Sequence, residues 1–250
     1  MTLILQVENV SKHFGGLQAL TNVTLDLVQG QILGLIGPNG AGKTTLFNTI
    51  NGIYNPEEGR IRFLGKDVTG AKPYELARMG MARTHQIVRP LNELTVRENV
   101  MAGACFGHEN HGLKSALQIA NEVLTFVGLD SRADQLAGSL NIAQKKRLEM
   151  ARALAAHPKI LLLDEVLAGL TPSEIDGMVH TILLVRNQGV SIIMIEHVMK
   201  AIMNVSDHIF VLEYGQKIAE GTPEEVVRNP RVVEAYLGDP QMAKRLMEAG

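Results

Sequence analysis

The sequence is poor in several features, and each shortage excludes a class of protein. Its one cysteine, Cys105, cannot form an internal disulfide, so we expect a protein of a reducing compartment. No apolar run approaches the roughly 20 residues that a membrane-spanning helix needs, and we expect no signal peptide because the N-terminus becomes polar within six residues. The net charge of −2 gives no general attraction to nucleic acid or to an anionic membrane. If the protein functions at a membrane, we therefore expect it to bind there through a partner protein.

Length and composition indicate a globular protein with a substantial core. The chain has 250 residues, of which 46% are hydrophobic. A chain of this size can bury most of its apolar surface in one fold. We predict one domain that carries an inserted lobe rather than two independent domains.

The most informative stretch is QILGLIGPNGAGKTT, residues 31–45. Gly37, Gly42, Lys43 and Thr44 satisfy GxxxxGK[ST], the pattern of a phosphate-binding loop. The apolar run before it is typical of a buried parallel strand, and the residues after it can continue as a helix. Backbone N–H groups of such a turn, at the positive end of a helix, favour a polyphosphate. Lys43 is then expected to reach the β- and γ-phosphates and the Thr44 hydroxyl to coordinate Mg²⁺.

A second stretch with clear chemistry is ILLLDE, residues 160–165. Four consecutive apolar residues predict a buried strand, which ends in the carboxylates of Asp164 and Glu165. Ligands bind at strand ends in α/β sheets. We predict that Asp164 holds Mg²⁺ through water and that Glu165 activates the attacking water as general base. The alternative is that the two acids only cap the next structural element. The four apolar residues before them disfavour this alternative.

Three further features each allow two interpretations. Phe14 lies in KHFGGLQAL, predicted as an exposed turn between strands at 3–10 and 23–28, and its ring suits either stacking on adenine or plugging a sheet edge. His197 follows the apolar run VSIIMIE and is either a γ-phosphate ligand or a helix cap. The segment 108–111, HENH, resembles a metal pair, but with no further ligands nearby we interpret it as a solvated loop.

The remaining elements follow from hydrophobic periodicity and turn signals. MARTHQ is predicted to return to the sheet and to end at Gln86. Apolar residues then recur at spacings of three and four, which predicts a helical lobe over roughly 90–150. HIFVLEYGQKIAEG is typical of a hairpin. Thr222 and Pro223 are predicted to be the N-cap and first residue of a helix.

Taken in order, these motifs resemble the nucleotide-binding subunits of ABC transporters over nearly the whole chain. The order is a phosphate loop (GPNGAGKTT), a glutamine after a strand (ARTHQ), a helical run (QKKRLEMARAL), a strand ending in two acids (ILLLDE) and a later histidine (IIMIEH). The resemblance implies an α/β fold: a P-loop NTPase (RecA-like) core with an antiparallel β layer and an inserted helical lobe. It divides a single domain, 1–250, into a core of about 1–89 and 151–221, a lobe at 90–150 and a C-terminal helical extension at 222–250.

The resemblance also implies ATP and Mg²⁺ as cofactors and assigns residues to them. Phe14 becomes the adenine-stacking residue, Gln86 the coupling and Mg²⁺-sensing residue, and His197 the switch histidine, so that Glu165, His197 and Gln86 are the implied catalytic residues. The implied metal ligands are Thr44, Gln86 and Asp164. The implied nucleotide contacts are Phe14, Gly37, Pro38, Asn39, Gly40, Ala41, Gly42, Lys43, Thr44, Thr45 and, across a dimer interface, Asn141, Ala143 and Gln144.

The sequence departs from this family at residues 140–144, which read LNIAQ instead of LSGGQ. In the family, this signature donates a serine hydroxyl and glycine N–H groups to the ATP on the other subunit. Asn141 still offers a side-chain donor, whereas Ala143 puts a Cβ where close backbone approach is wanted. We therefore predict a heterodimer with a second, homologous ATPase, in which one ATP site is strong and the other is weak.

Smaller features resemble the LivG-like ATPase subunit of importers of branched-chain amino acids and related amides. They are GIYNPEEGRIRFLGKDVTG, the AGL after the two acids, and NPRVVEAYLGD. This resemblance implies two membrane permease subunits, which dock near Ile87, Val88 and Pro90, and a solute-binding protein that acts indirectly. It also implies a peripheral position on the cytoplasmic face of the inner membrane.

Two alternatives to an amino-acid importer stay open. One is the ATPase of a lipopolysaccharide-type exporter, which has a closely similar cassette. The other is a soluble cassette that acts on DNA or ribosomes. The second is disfavoured because the chain between Lys43 and Leu140 has no sustained heptads and the balanced charge indicates no nucleic-acid partner.

Overall fold

The computed structural model describes residues 2–86 and 88–237, which form two compact units. The first unit comprises the described residues up to Pro73 and from Ser191 onward, and the second unit runs from Tyr74 to Val190. The second unit contains the predicted lobe but is wider than it, because strands on either side of the lobe pair with each other. Ile87, predicted to lie where a permease docks, and residues 238–250 of the predicted C-terminal helical extension lie outside the described residues.

Strands and helices are numbered here in chain order over the described residues. The strands are β1 (Leu3–Phe14), β2 (Leu17–Val28), β3 (Ile32–Ile36), β4 (Glu58–Phe63), β5 (Lys66–Asp67), β6 (Met81–Arg83), β7 (Ile160–Asp164), β8 (Ser191–Ile195), β9 (His208–Glu213) and β10 (Gln216–Gly221). The helices are α1 (Lys43–Ile50), α2 (Pro73–Met79), α3 (Val96–Phe106), α4 (Leu113–Phe126), α5 (Ile142–Ala155), α6 (Pro172–Asn187), α7 (Met199–Val205), α8 (Pro223–Val227) and α9 (Pro230–Leu237).

The first unit contains an antiparallel sheet in the order β2-β1-β4-β5, which confirms the predicted antiparallel layer. Val7 and Val23 lie on its buried face. The prediction that KHFGGLQAL is an exposed turn is wrong, because only Gly15 and its neighbouring glycine form the turn. With a φ of +57° at Gly15, two glycines suffice to close the hairpin. Phe14 therefore pairs with Leu17 at the end of β1 and does not lie in a loop.

A second group of strands in the first unit is parallel around β3. This strand lies between β8 and β9 and runs parallel to both, and β10 pairs with β9 in the predicted antiparallel hairpin. Every residue of β3 and β8 is buried, which explains why their sequences are continuous apolar runs. A Cβ at Gly34 would lie 3.0 Å from a side-chain carbon of Ile202 in α7. The glycine in β3 therefore lets α7 pack closely on the sheet.

The second unit contains the parallel pair β6 and β7 together with the helices of the predicted lobe. Helices α3, α4 and α5 pack against one another. Capping boxes fix the starts of α3, at Thr95 and Glu98, and of α6, at Thr171 and Glu174. Thr222 caps α8 in the first unit in the same way, as predicted. No helix within the described ranges combines the length and hydropathy needed to cross a lipid bilayer.

Candidate active site

The phosphate-loop motif joins β3 to α1 in the first unit. Gly37 and Gly42 have φ values of +151° and +101°, which favour glycine. A Cβ at Gly37 would lie 2.1 Å from the carbonyl oxygen of Leu212, and a Cβ at Gly42 would lie 2.7 Å from that of Ala19. Both glycines are therefore required by the backbone that surrounds the loop. Among the other predicted loop contacts, Asn39 and Gly40 are exposed, Pro38 and Thr45 are half-buried and Ala41 is buried.

Lys43 begins α1 and is only 7% exposed. Its Nζ donates hydrogen bonds to the carbonyl oxygens of Gly37 (2.8 Å) and Pro38 (2.9 Å), so the ammonium group lies over the loop. Thr44, the next residue, is exposed. A cation held over a glycine loop at a helix N-terminus fits a bound polyphosphate, because the ammonium charge and the helix dipole both attract anions.

The tip of the β9–β10 hairpin braces the loop, which the sequence did not reveal. The Gly215 N–H donates to the Ala41 carbonyl oxygen (2.9 Å), and the Thr21 N–H donates to the Gly215 carbonyl oxygen (2.9 Å). Tyr236 of α9 is buried, and this burial raises the pKa of its hydroxyl, while the nearby Gly37 backbone acts to lower that pKa. These contacts join distant parts of the chain, so no local sequence pattern indicates them.

His197 lies at the same edge of the sheet as the phosphate loop. Leu35 of β3 is opposite Ile195 of the parallel strand β8. Gly37 and His197 each come two residues after that pair, so both follow the carboxyl ends of neighbouring strands, where α/β sheets bind ligands. The N-cap of α7 is Val198. His197 is therefore not the helix cap that the sequence left open as an alternative.

Phe14 is half-exposed at the end of β1. Its ring meets the ring of Tyr54 edge-on, with centroids 5.0 Å apart, and the Lys12 ammonium lies 5.5 Å from its centroid. At 42% exposure the ring is not a buried plug. It keeps apolar surface on which an aromatic base can stack.

In the second unit, the carboxylate of Asp164 is held by an arginine that no sequence motif singles out. Arg83 Nη2 lies 2.7 Å from Asp164 Oδ2, and the two side chains are 8% and 3% exposed. The Asp164 N–H also donates to Thr84 Oγ1 (3.2 Å). The parallel pairing of β6 with β7 produces this contact, because Arg83 ends the one strand and Asp164 ends the other. One carboxylate oxygen is thus committed to a protein cation.

Gln86 and Glu165, predicted from separate motifs, meet in the second unit. Gln86 Nε2 donates to Glu165 Oε2 at 2.8 Å. Glu165 has a φ of +52°, so the chain turns sharply directly after β7. Lys146 of α5 supports this turn, since its buried Nζ donates to the Glu165 carbonyl oxygen at 2.8 Å and to that of Ala168. The position of Lys146 beside the turn could not be inferred from a single sequence.

A buried carboxyl group on α5 reaches the segment before Gln86. Glu149 is 4% exposed and accepts a hydrogen bond from the backbone of His85. Burial raises the pKa of Glu149 to about 7, although Arg152 beside it acts in the opposite direction. Near physiological pH, both the protonated and the ionised form of Glu149 are therefore populated. The hydrogen bond from His85 links α5 to the segment that contains Gln86.

The variant signature begins α5. Asn141 is the N-cap: its Oδ1 accepts from the Gln144 N–H (2.9 Å), and Gln144 Oε1 accepts from the Asn141 N–H (3.0 Å). Ala143 is 9% exposed, so its Cβ packs inward and does not project from the helix start, where the sequence had suggested an obstruction. Ile142, at 62% exposure, is the large apolar departure from LSGGQ that projects outward.

Family models match two parts of the chain. The model described as ABC transporter matches residues 20–168, and the model described as Branched-chain amino acid ATP-binding cassette transporter matches residues 216–240. The high-affinity branched-chain amino acid transport ATP-binding protein BraF of Pseudomonas aeruginosa is 40% identical over 94% of this chain and 98% of its own. LivG of Escherichia coli, which carries the same description, is 40% identical over the same shares.

Solved structures agree with these matches. A nucleotide-free ATP-binding cassette from an ABC transporter has a TM-score of 0.86 and 34% identity, covering 95% of this chain and 100% of that one. The ADP conformation of an ABC transporter cassette has a TM-score of 0.85 and 35% identity, covering 96% of this chain and 100% of that one. The predicted fold class is thereby confirmed. The chain belongs to the ABC transporter family, as one of its ATP-binding cassette subunits.

Proposed function

We propose that this ATPase cassette powers the transport of branched-chain or related amino acids across a membrane. The observation that carries the proposal is the 40% identity to BraF and LivG over 94% of the chain. The match of residues 216–240 to the branched-chain model supports it separately, because this segment lies outside the general ABC transporter match at 20–168. The similarity to branched-chain amino acid transporters therefore does not depend only on the phosphate loop and the ILLLDE motif, which lie within 20–168.

The first unit supplies the groups proposed to bind ATP. To reach a phosphate, Lys43 exchanges the carbonyl oxygens of Gly37 and Pro38 for phosphate oxygens. The exchange is favourable because hydrogen bonds to a charged acceptor are stronger than those to a neutral one. The half-exposed ring of Phe14 is proposed to stack on adenine.

Three side chains are proposed to hold Mg²⁺: Thr44, Asp164 and Gln86. Their oxygen donors suit this hard cation. Asp164 commits Oδ2 to Arg83, which leaves Oδ1 for a metal-bound water, and Gln86 donates through Nε2, which leaves its amide oxygen. When bound, Mg²⁺ neutralises charge on the transferred phosphoryl group.

Glu165 is the proposed general base for hydrolysis. Its carboxylate, which accepts a hydrogen bond from Gln86 through Oε2, is proposed to take the proton of the attacking water. As the water oxygen bonds to the γ-phosphorus, the bond from that phosphorus to the bridging oxygen breaks, which gives ADP and inorganic phosphate. His197 is proposed to donate a hydrogen bond to a γ-phosphate oxygen, since it follows the strand next to β3.

The start of α5 supports an asymmetric pair of ATPases. A partner's ATP would meet the exposed side chain of Ile142 beside Asn141, whose Oδ1 caps the helix and whose amide nitrogen is the side-chain donor. Such a surface is a poor cradle for a γ-phosphate, because Ile142 blocks close approach to the backbone. We therefore propose a heterodimer with a homologous ATPase, with the weak site at this signature. Hydrolysis by the purified chain alone, as fast as by the paired complex, contradicts it.

A glycine substitution tests the same proposal within the assembled complex. Ile142→Gly is expected to raise ATP hydrolysis at the weak site, because it removes the side chain that projects from the start of α5. Leu113→Gly is the matched control, since Leu113 is the first residue of α4 and is 74% exposed. Equal hydrolysis rates in the parent and in Ile142→Gly contradict a steric origin of the weak site.

Membrane permeases are the proposed partners, with the chain bound peripherally at the cytoplasmic face and a solute-binding protein acting indirectly. Support comes from the relatives, which are described as transport ATP-binding proteins. Co-purification of the chain from its native membrane tests this arrangement. We expect two permeases and a second, different ATPase. Recovery of the chain alone, or of a lipid-linked exporter component, contradicts it.

A further inference from the structure

A cluster of two histidines and a glutamate, which includes two residues of the HENH segment, lies at one end of α5. Glu109 Oε2 is 2.8 Å from His111 Nε2 and 3.0 Å from His157 Nδ1. The two imidazole rings meet edge-on with centroids 5.4 Å apart. The expectation that HENH has no further ligands nearby is therefore wrong, because His157 supplies a third group from another segment.

Backbone hydrogen bonds hold the two segments together. The His108 N–H donates to the Ala156 carbonyl oxygen (3.0 Å), and the His111 N–H donates to the Ala104 carbonyl oxygen (3.1 Å). The loop is thus tied to the end of α5 on one side and to α3 on the other. His157 follows Ala156 directly, with a φ of +51°. The backbone alone places the three side chains near one another.

We propose that Glu109, His111 and His157 bind a divalent transition-metal ion of the zinc class, with water completing the coordination. Imidazole nitrogen and carboxylate oxygen are common zinc ligands, at about 2.0–2.2 Å from the metal. One ligand atom from each residue lies within 4.8 Å of the others. In a tetrahedral site with such bonds the ligand atoms are roughly 3.3 Å apart, so small side-chain rotations convert the hydrogen-bonded cluster into a metal site.

The cluster is accessible and has suitable charge. The side chains of Glu109, His111 and His157 are 48%, 24% and 42% exposed, so an ion can enter from solvent and the side chains can adjust. As metal ligands, two neutral imidazoles and one carboxylate together carry one negative charge, which suits a divalent cation. On metal binding, each ligating nitrogen gives up its proton to solvent or to the other ring nitrogen.

Zinc titration of the full chain tests this site. We expect one ion per chain, measured by competition with a chromophoric chelator, and a rise in melting temperature with added zinc. Glu109→Gln, His111→Ala and His157→Ala are each expected to weaken binding tenfold or more. His180→Ala is the matched control, because His180 is exposed on α6 and contributes no ligand atom to the cluster. Cys105→Ser shows whether the thiol contributes, and we expect it to leave binding unchanged.

Cobalt provides a readout that separates coordination from folding. Co²⁺ bound to the cluster is expected to give visible absorption bands of a nitrogen–oxygen site, lost in His111→Ala and His157→Ala and kept in His180→Ala. Circular dichroism identifies any variant that fails to fold, and Glu109→Gln then serves in its place, since it removes only the charge. Zinc binding that survives His157→Ala unchanged, or no binding by the parent chain, overturns the proposal.

Discussion

Replacing Arg83 by methionine tests the electrostatics behind the proposed metal ligand Asp164. The two side chains are 8% and 3% exposed, with 2.7 Å between Nη2 and Oδ2. Methionine fills much of the volume of the arginine stem but removes its charge, so the Asp164 carboxylate stays buried without this cation. Removing one partner of a buried ion pair costs about 3–5 kcal/mol. We therefore expect the melting temperature to fall by roughly 6–20 °C, at about 2–4 °C per kcal/mol for a chain of this size.

A surface ion pair of the same unit provides the control. Arg97 Nη2 lies 3.0 Å from Asp134 Oδ1, but these side chains are 30% and 87% exposed. Exposed pairs contribute about 0–1 kcal/mol because water and salt screen them. Arg97→Met is thus expected to lower the free energy of unfolding far less than Arg83→Met. Urea unfolding followed by circular dichroism, without nucleotide, measures both.

A double-mutant cycle with Asp164→Asn isolates the pair from other contacts of Arg83. In the Asp164→Asn background no buried carboxylate is left unpaired when the arginine is removed. Arg83→Met is therefore expected to lower the free energy of unfolding by about 2 kcal/mol less in that background than in the parent. The reasoning is refuted if Arg83→Met costs no more than Arg97→Met. It is also refuted if the effects of the two substitutions at the pair add within about 0.5 kcal/mol.

Three further predictions concern the loop and α5. Lys43→Ala is expected to weaken ATP binding about 10–100-fold, by loss of charged hydrogen bonds, in isothermal titration calorimetry. Gly215→Ala is expected to weaken ATP binding and to lower stability more than Gly65→Ala. Both glycines have a φ of +74°, but only at Gly215 would a Cβ clash, 2.5 Å from a carbonyl oxygen. The pKa of Glu149 is raised to about 7 by burial, so the folded state holds a proton that the unfolded state has lost. The stability this proton confers is full below pH 4.5, the ordinary pKa of a glutamate, and is lost as the pH rises to about 7, with a slope of up to about 1.4 kcal/mol per pH unit. Urea unfolding across this range should show the slope in the parent chain and not in Glu149→Gln. Equal slopes contradict the burial argument.

Local motifs made much of the fold predictable. The apolar run before Gly37 and the apolar run before Asp164 indicated buried parallel strands, because a strand covered on both faces has no polar positions. Thr222 followed by proline indicated the start of α8 for a similarly local reason. Each of these signals depends on residues within one turn or one strand, which a single sequence displays.

Contacts between distant residues were not predictable in the same way. Arg83 and Asp164 are 81 positions apart, and His157 and Glu109 are 48 apart. Only pairing of β6 with β7, or packing of a loop on α5, brings such groups together, and neither leaves a pattern near the residue itself. Similarly, the exposure of Ile142 depends on where α5 begins and on which of its faces is packed, and the residues 140–144 alone do not indicate either.

Amino-acid uptake by the reconstituted complex tests the central claim most directly. The complex is placed in proteoliposomes with ATP on the side of this chain, and uptake of radiolabelled leucine, isoleucine and valine is followed. We expect the parent and the exposed control Glu224→Gln to transport at equal rates. Glu165→Gln should bind ATP but transport at least about 100-fold more slowly, because the general base is lost. Parental transport rates in Glu165→Gln, or movement of a lipid-linked substrate and of no amino acid, contradict the account.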